Sequence, residues 1–552
     1  MASSSDQKTS KRRVGRQRQP PLAPGPPFQF VVASHPDDFK DGKIMRKVRS
    51  HVMYTHREAL SPTDTAGSQE GSSTPNLTTR TPSPAIASTS SMSQTIASQA
   101  ATSSRHHGSG WEQDAHGIQI PSPSTHPVRV LAARIHSAIT KASPHSQARV
   151  FDEVPGYPFP GGNASRHELL DDLKREWIGT TTFYCYDQAW MQYVCGNHLS
   201  FLSHVHATLV YQDLDEGLLY DSDLTVYAKT RMLGLFHGRL DTDDTTVLSI
   251  LHMLISEIGS PEEDAFGVHQ DGLVTCIRNR RDGLGPNIAT FMTLVMLTFA
   301  ICRGQNESVE LTPRSSSEAW IGHNSPVSPL LVSREHIPSL YRNGSTTTND
   351  IIRKMQRCTY IFLTRWTHKG DPHMISSGQI ATCDAELQDI YSDLLLLPSA
   401  EYDNQPDWIY ESCRIAALIY CRSVVHGATL ADSANIMHAS ISGSSSESIT
   451  LLAALHSALA KSEVQTCWGF DLSGAFLWVA LVGAAASWSA PHSSSDEALQ
   501  ASAWMRKCFA LYAVRAAVSV PFDYADATIQ ALRTMLQVRR FITVKMGPTL
   551  PQ

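Results

Sequence analysis

Asp243-Asp244-Thr245-Thr246 opens a stretch in which Val247, Leu248, Leu251, Leu254, Ile255 and Ile258 recur at three- and four-residue steps. Apolar groups at that spacing share one face of an α-helix, and the short acidic and hydroxyl side chains ahead of them can cap its first amides. Gly259-Ser260-Pro261 breaks the period. Glu262, Glu263 and Asp264 then place carboxylates where a second helix has its positive end, and Ala265, Val268, Leu273, Cys276 and Ile277 give that helix an apolar stripe. Gly283 and Gly285 predict its end, and a third apolar stretch runs from Ile288 to Ile301. Turns this short join antiparallel neighbours, so the spacing predicts a helical bundle.

The same periodicity extends in both directions. Upstream it predicts a short helix around Val130 to Ile139, one from Ser165 to Trp177, and helical stretches near Phe183 to Val210 and Leu218 to Leu235. Downstream it predicts helices at Ile352 to Trp366, Ala385 to Leu397, Asp407 to Tyr420, Leu451 to Leu459, Ala501 to Val518 and Ala525 to Phe541. Polar loops over residues 303–349 and Ser440 to Ser448 separate them. Leu472 to Trp488 is apolar throughout, but it is short for a membrane span, has Asp471 at its edge and lacks a flanking basic cluster, so a buried helix is expected and no membrane.

The fold class expected is all-α, a multi-helix bundle preceded by a long disordered N-terminal region. Residues 1–27 form a basic arm, 28–58 a hydrophobic plug with a basic amphipathic helix, 59–127 a disordered Ser/Thr/Pro-rich linker, and 128–552 the helical body. Residues 1–58 carry twelve Lys or Arg against five Asp or Glu, so the remainder sums to −13 to reach the chain's −6. A basic arm ahead of an acidic body suits a phosphate-rich or acidic partner for the arm alone. The ten cysteines all lie at or beyond Cys185 with no C-x-x-C pair, which predicts reduced, mostly buried thiols. Met-Ala-Ser-Ser-Ser-Asp-Gln-Lys has no apolar run of the secretory type, and an intracellular protein is expected.

Within the arm, Lys11, Arg12, Arg13, Arg16 and Arg18 form a cluster of nuclear-import or phosphate-binding type. Lys43, Arg46, Lys47, Arg49 and Arg57 alternate with Ile44, Met45, Val48, Val52 and Met53 at helical spacing, a candidate contact for a partner or for nucleic acid. Val31-Val32-Ala33-Ser34-His35-Pro36-Asp37-Asp38 looks like the strand and loop of zinc-dependent sugar N-deacetylases, where a His and an Asp bind the metal. The Ser, Thr, Pro and Ala that follow supply no parallel sheet to hold such a loop, and Phe39 stands where that family usually has Glu. His204 and His206 alternate rather than repeat at three or four residues, so packing is favoured over metal binding. Nucleophile-elbow, phosphate-loop and dinucleotide motifs are absent, and neither an enzyme nor a cofactor is expected.

Asp264-Ala265-Phe266-Gly267-Val268-His269-Gln270-Asp271-Gly272-Leu273, followed by Arg280-Arg281-Asp282-Gly283-Leu284-Gly285, resembles the central helices of the fungal-specific transcription factor domain family. Glu411 to Tyr420, Leu477 to Ala484, and Phe30-Val31 with Val48 to Met53 resemble further segments of it in the same order. The resemblance implies a nuclear regulatory body that binds other nuclear regulatory proteins, with DNA reached through the basic arm and a homodimer admitted. Its motif residues His269, Gly272, Leu273, Arg280, Gly283 and Leu284 are read as structural: Gly272 for close helix approach, Gly283 as a helix end, and His269 as packed or capped rather than reactive. Typical members also carry an N-terminal binuclear zinc cluster of six cysteines, which this chain lacks, so a direct sequence-specific DNA reader is not implied. A scaffold or partner-binding protein without DNA binding is the alternative, with the zinc-dependent N-deacetylase suggested by His35-Pro36-Asp37-Asp38 behind it.

Overall fold

The computed structural model describes residues 126–141, 165–180, 188–236, 242–260, 263–308, 311–312, 328–331, 345–367, 376–438, 449–464, 468–488 and 496–546. The chain divides between Arg105 and His106 into two units, and every described residue belongs to the second.

The described residues are all-α. The helices are α1 Pro127–Lys141, α2 Ser165–Thr180, α3 Gln188–Gly196, α4 His198–Asp215, α5 Asp223–Phe236, α6 Asp244–Glu257, α7 Glu263–Asn279 and α8 Pro286–Cys302. They continue as α9 Thr346–Thr367, α10 Ser377–Leu395, α11 Trp408–His426, α12 Leu430–Ala434, α13 Leu451–Lys461, α14 Ser473–Ser487, α15 Asp496–Val518 and α16 Ala525–Met546. Two features escape periodicity. The stretch read as helical from Phe183 to Val210 is broken at Asn197, whose extended backbone and side chain, accepting from the Leu199 amide at 2.8 Å, start α4 afresh. Two-residue strands β1 Met437–His438 and β2 Ile449–Thr450 pair antiparallel, too short for any alternation to announce them.

Helix ends follow their local chemistry. Asp407 accepts from the Tyr410 amide at 2.9 Å to start α11, and Gly427, at φ 67°, ends it in the left-handed region. Ser376 and Gln379 form a reciprocal capping box at α10.

Packing produces two apolar clusters. The larger draws on α3, α4 and α6–α16, and the smaller on α1, α2, α4, α5, Cys195 of α3 and Met253 of α6. Helix α4 serves both: Ala207, Val210 and Leu214 face the larger, while Phe201, Leu202, Val205 and Leu209 face the smaller. Its full circumference is therefore enclosed, as is that of α14, the span Leu472 to Trp488 read as a buried helix. Among the described residues no helix is long and apolar enough to cross a membrane.

Cations from the last two helices close the ends of earlier segments. Arg539 Nη1 donates to the Ala300 and Ile301 carbonyls at 3.1 and 3.0 Å at the end of α8. Lys545 Nζ donates to Val424 and Val425 at 2.9 and 2.6 Å at the end of α11, and Lys507 Nζ to Leu218 and Leu219 at 2.9 and 2.8 Å beyond α4. A helix C-terminus exposes unpaired carbonyls and partial negative charge, so a cation there satisfies both partners at once.

Candidate functional site

Sequence order brings the start of α6 and the α7–α8 turn together, and one acid–base pair fastens them. Asp243 Oδ1 accepts from the Thr246 amide at 2.8 Å, the cap expected of this run. Its neighbour Asp244 turns the other way: Oδ1 accepts from Arg280 Nη2 at 2.7 Å and Oδ2 from the Gly285 amide at 3.1 Å. Arg280 also donates to the carbonyls of Thr242 and Gly283. Arg280 and Asp244 together thus tie the start of α6, the end of α7 and the N-cap of α8. The Arg280 and Asp244 side chains are 12% and 25% exposed, sheltered enough for the pair to be held more firmly than an exposed one.

The other motif residues sort by environment. Leu273 is fully buried and Leu284 packs against the larger core. His269 is half-buried; burial lowers its pKa first, with Glu257 opposing and Lys229 assisting. Two readings need correction. Gly272 is exposed, and a Cβ there would meet nothing within 4 Å, so no helix approaches it closely. Helix α7 ends at Asn279, ahead of Gly283, whose carbonyl serves instead as an acceptor for Arg280.

A second polar constellation lies on α4 between the two apolar clusters. His204 and His206 differ by about 200° around the helix, yet both are buried because α4 is enclosed on all sides. His204 Nδ1 accepts from Trp177 Nε1 at 3.2 Å, and its ring meets His252 edge-on at 5.9 Å. Ser203 Oγ donates to the Ser200 carbonyl and lies 2.8 Å from His252 Nδ1. Both ring nitrogens of His206 are buried without a protein hydrogen-bond partner.

Burial pushes His204 down to about 3, His206 to about 3 with Lys229 assisting, and His136 to about 4 with Arg231 assisting; His252 is likewise depressed well below its ordinary value. These rings are neutral near pH 7. Ser203 and His252 have the spacing of a nucleophile and its base, but both are fully buried and no substrate reaches the hydroxyl in this conformation.

No protein-family model, no curated protein and no solved structure matches the chain.

Among the described residues, no three His, Cys, Asp or Glu side chains form a group able to hold a metal. Lys11, Arg12, Arg13, Arg16, Arg18, Lys43, Arg46, Lys47, Arg49 and Arg57 lie outside the described residues, as does His35-Pro36-Asp37-Asp38. Sequence reasoning missed one buried charge cluster. Arg129 of α1 pairs with Asp213 at 2.5 Å and Glu216 at 2.7 Å at the end of α4, and Asp213 Oδ2 accepts from the Ser222 amide at 2.9 Å. The partners are 84 and 87 residues away, so no local pattern signals them.

Proposed function

We propose that this chain is a nuclear transcription-regulator-like protein of the fungal-specific transcription factor domain type. Its helical body binds other regulatory proteins, and its basic arm supplies contacts to nucleic-acid phosphates. The observation that supports the reading is the Asp244–Arg280–Gly285 joint: Arg280 and Gly285 of the segment that resembles the family are tied by Asp244 to the helix before it. Leu273, Glu411 to Tyr420 and Leu477 to Ala484, from the other resembling segments, are core residues with the single buried ion pair Glu411–Arg414 among them. Such an interior is built for a stable platform, and it leaves recognition to its surface and to the arm.

The test is chromatin occupancy of the tagged full chain, with salt-dependent DNA binding measured in parallel. Occupancy that weakens when Lys11, Arg12, Arg13, Arg16 and Arg18 are replaced supports the reading, because phosphate contacts release counterions and fade with salt. Deleting residues 1–20 is expected to lower nuclear accumulation. Nuclear residence with co-purifying regulators but no DNA binding favours the scaffold form. Stoichiometric zinc that disappears on replacing His35 and Asp38 overturns the proposal in favour of the deacetylase.

A further inference from the structure

Two cysteines from different helices meet in the middle of the body. Cys358 of α9 and Cys421 of α11 are both fully buried, and the Cys358 thiol donates to Cys421 Sγ at 3.9 Å. The residues beside them hold the two helices in register. Tyr420 Oη and Thr359 Oγ1 are 2.9 Å apart, and Thr359 Oγ1 also donates to the Met355 carbonyl at 2.9 Å, so the phenol is the donor between them. Tyr420 is in turn fixed by the edge of Trp478 on α14, with ring centroids 5.9 Å apart. Neither helix is free to rotate and carry its sulfur away.

We propose that Cys358 and Cys421 are an oxidant-sensitive pair that forms a disulfide between α9 and α11 on exposure to a small peroxide. Joining them requires the sulfurs to close by about 2 Å, a displacement within reach of side-chain rotation and small backbone adjustment. The chemistry divides the roles. The hydrogen bond assigns the roles: Cys421, whose sulfur accepts, is the attacking group, and Cys358, whose thiol donates, is the resolving one. The Cys421 sulfur attacks one peroxide oxygen and the O–O bond breaks; the departing hydroxide takes the Cys421 proton as water, leaving a sulfenic acid. The Cys358 sulfur then attacks the Cys421 sulfur and the S–O bond breaks. The second hydroxide leaves with the Cys358 proton, so two thiols are oxidised and one peroxide is reduced to two waters.

Burial sets the rate and the choice of oxidant. The hydrogen bond to Cys421, then burial, raises the Cys358 thiol well above its ordinary value, so the reaction proceeds through brief local opening and favours a reagent as small as hydrogen peroxide. Cys383, on α10, is half-buried and serves as an internal reference. Burial and then Asp384 and Glu386 raise its thiol, so exposure there does not bring an unusually reactive thiolate.

The test treats the full native chain with hydrogen peroxide, blocks remaining thiols in denaturant, digests without reductant and maps linked peptides. The expected product is one pair joining Cys358 to Cys421, lighter by two hydrogens and restored by dithiothreitol. Cys421→Ser removes the linked pair, and Cys358→Ser does the same and leaves a trapped sulfenic acid at Cys421. Recovery of Cys358 and Cys421 as separately blocked thiols while Cys383 is oxidised overturns the proposal. Scrambled links involving Cys413 or Cys508 in the native chain also overturn it. Because the wild-type chain carries the decisive readout, a variant that fails to fold leaves the test intact.

Discussion

Gly272 on α7 and Gly483 on α14 both sit inside helices, and the same added methyl group would act oppositely on them. At Gly272 it would enter open space, whereas at Gly483 it would overlap the ring of Phe509 on α15. His269 and His206 repeat the contrast: the first is half-buried on α7, the second fully buried on α4 without a hydrogen-bond partner. Residue type alone predicts neither outcome. What decides is whether a second helix lies over the position, and that second helix is remote in sequence.

The largest expected effect tests the buried histidines. In an unfolded chain a histidine titrates near 6.5, so between that value and the depressed folded value the unfolded state binds more protons. Stability is then fully present above about pH 6.5 and declines as pH falls below it. At pH 5 the loss is about 2 kcal/mol for each of His136, His204 and His206, together comparable with the whole stability of a domain. Urea unfolding at pH 7 and pH 5 measures it, and an unchanged midpoint would show that these rings are not neutral in the fold. His206→Leu should remove its share of that loss and, by eliminating an unpartnered buried ring, raise stability at pH 7 by about 1 kcal/mol or more. A lower midpoint for the variant at both pH values would reveal a partner for the ring. His269→Leu should change the pH response less, because its ring is half-exposed.

Next in size is Gly483→Ala, expected to destabilise by about 3 kcal/mol because the Phe509 ring is itself fully buried and has little room to retreat. Thermal unfolding is the measurement, and the paired variant Phe509→Leu should recover part of the loss if the overlap is its cause. Arg280→Ala should cost about 2 kcal/mol by leaving Asp244 Oδ1 and three backbone carbonyls without their donor. Arg280→Lys cannot reproduce the forked contacts and should rescue only part of that, whereas full rescue would reduce the joint to simple charge attraction. The smallest effect carries the opposite sign: Gly272→Ala should stabilise by up to about 1 kcal/mol through helix propensity, and a loss there would mean that something packs on this face.

These contrasts mark how far the sequence could be read. Helices α6, α7 and α8 were legible because their apolar period is local, and Asp243 was legible as a cap because its acceptor role reaches only to Thr246. The uninterrupted apolar run of α14 announced burial, though not that Gly483 was the point of closest approach. Its partner Phe509 belongs to a different helix, 26 residues further along the chain. The Asp244–Arg280 joint was half visible: both residues stood in the decisive stretch, but only folding shows that Asp244 leaves the capping role to Asp243 and turns toward Arg280. The Cys358–Cys421 encounter, across 63 residues, left no local mark at all.

The cationic closures impose a timetable on synthesis. Arg539 and Lys545 meet carbonyls 239 and 121 residues upstream, so the ends of α8 and α11 leave the ribosome long before the side chains that seal them. A nascent body therefore has no finished state until α16 emerges, and Gly483 of α14 meets its neighbour Phe509 only once α15 has followed. A chain arrested before α16 would remain a client for chaperones rather than a smaller version of the same protein.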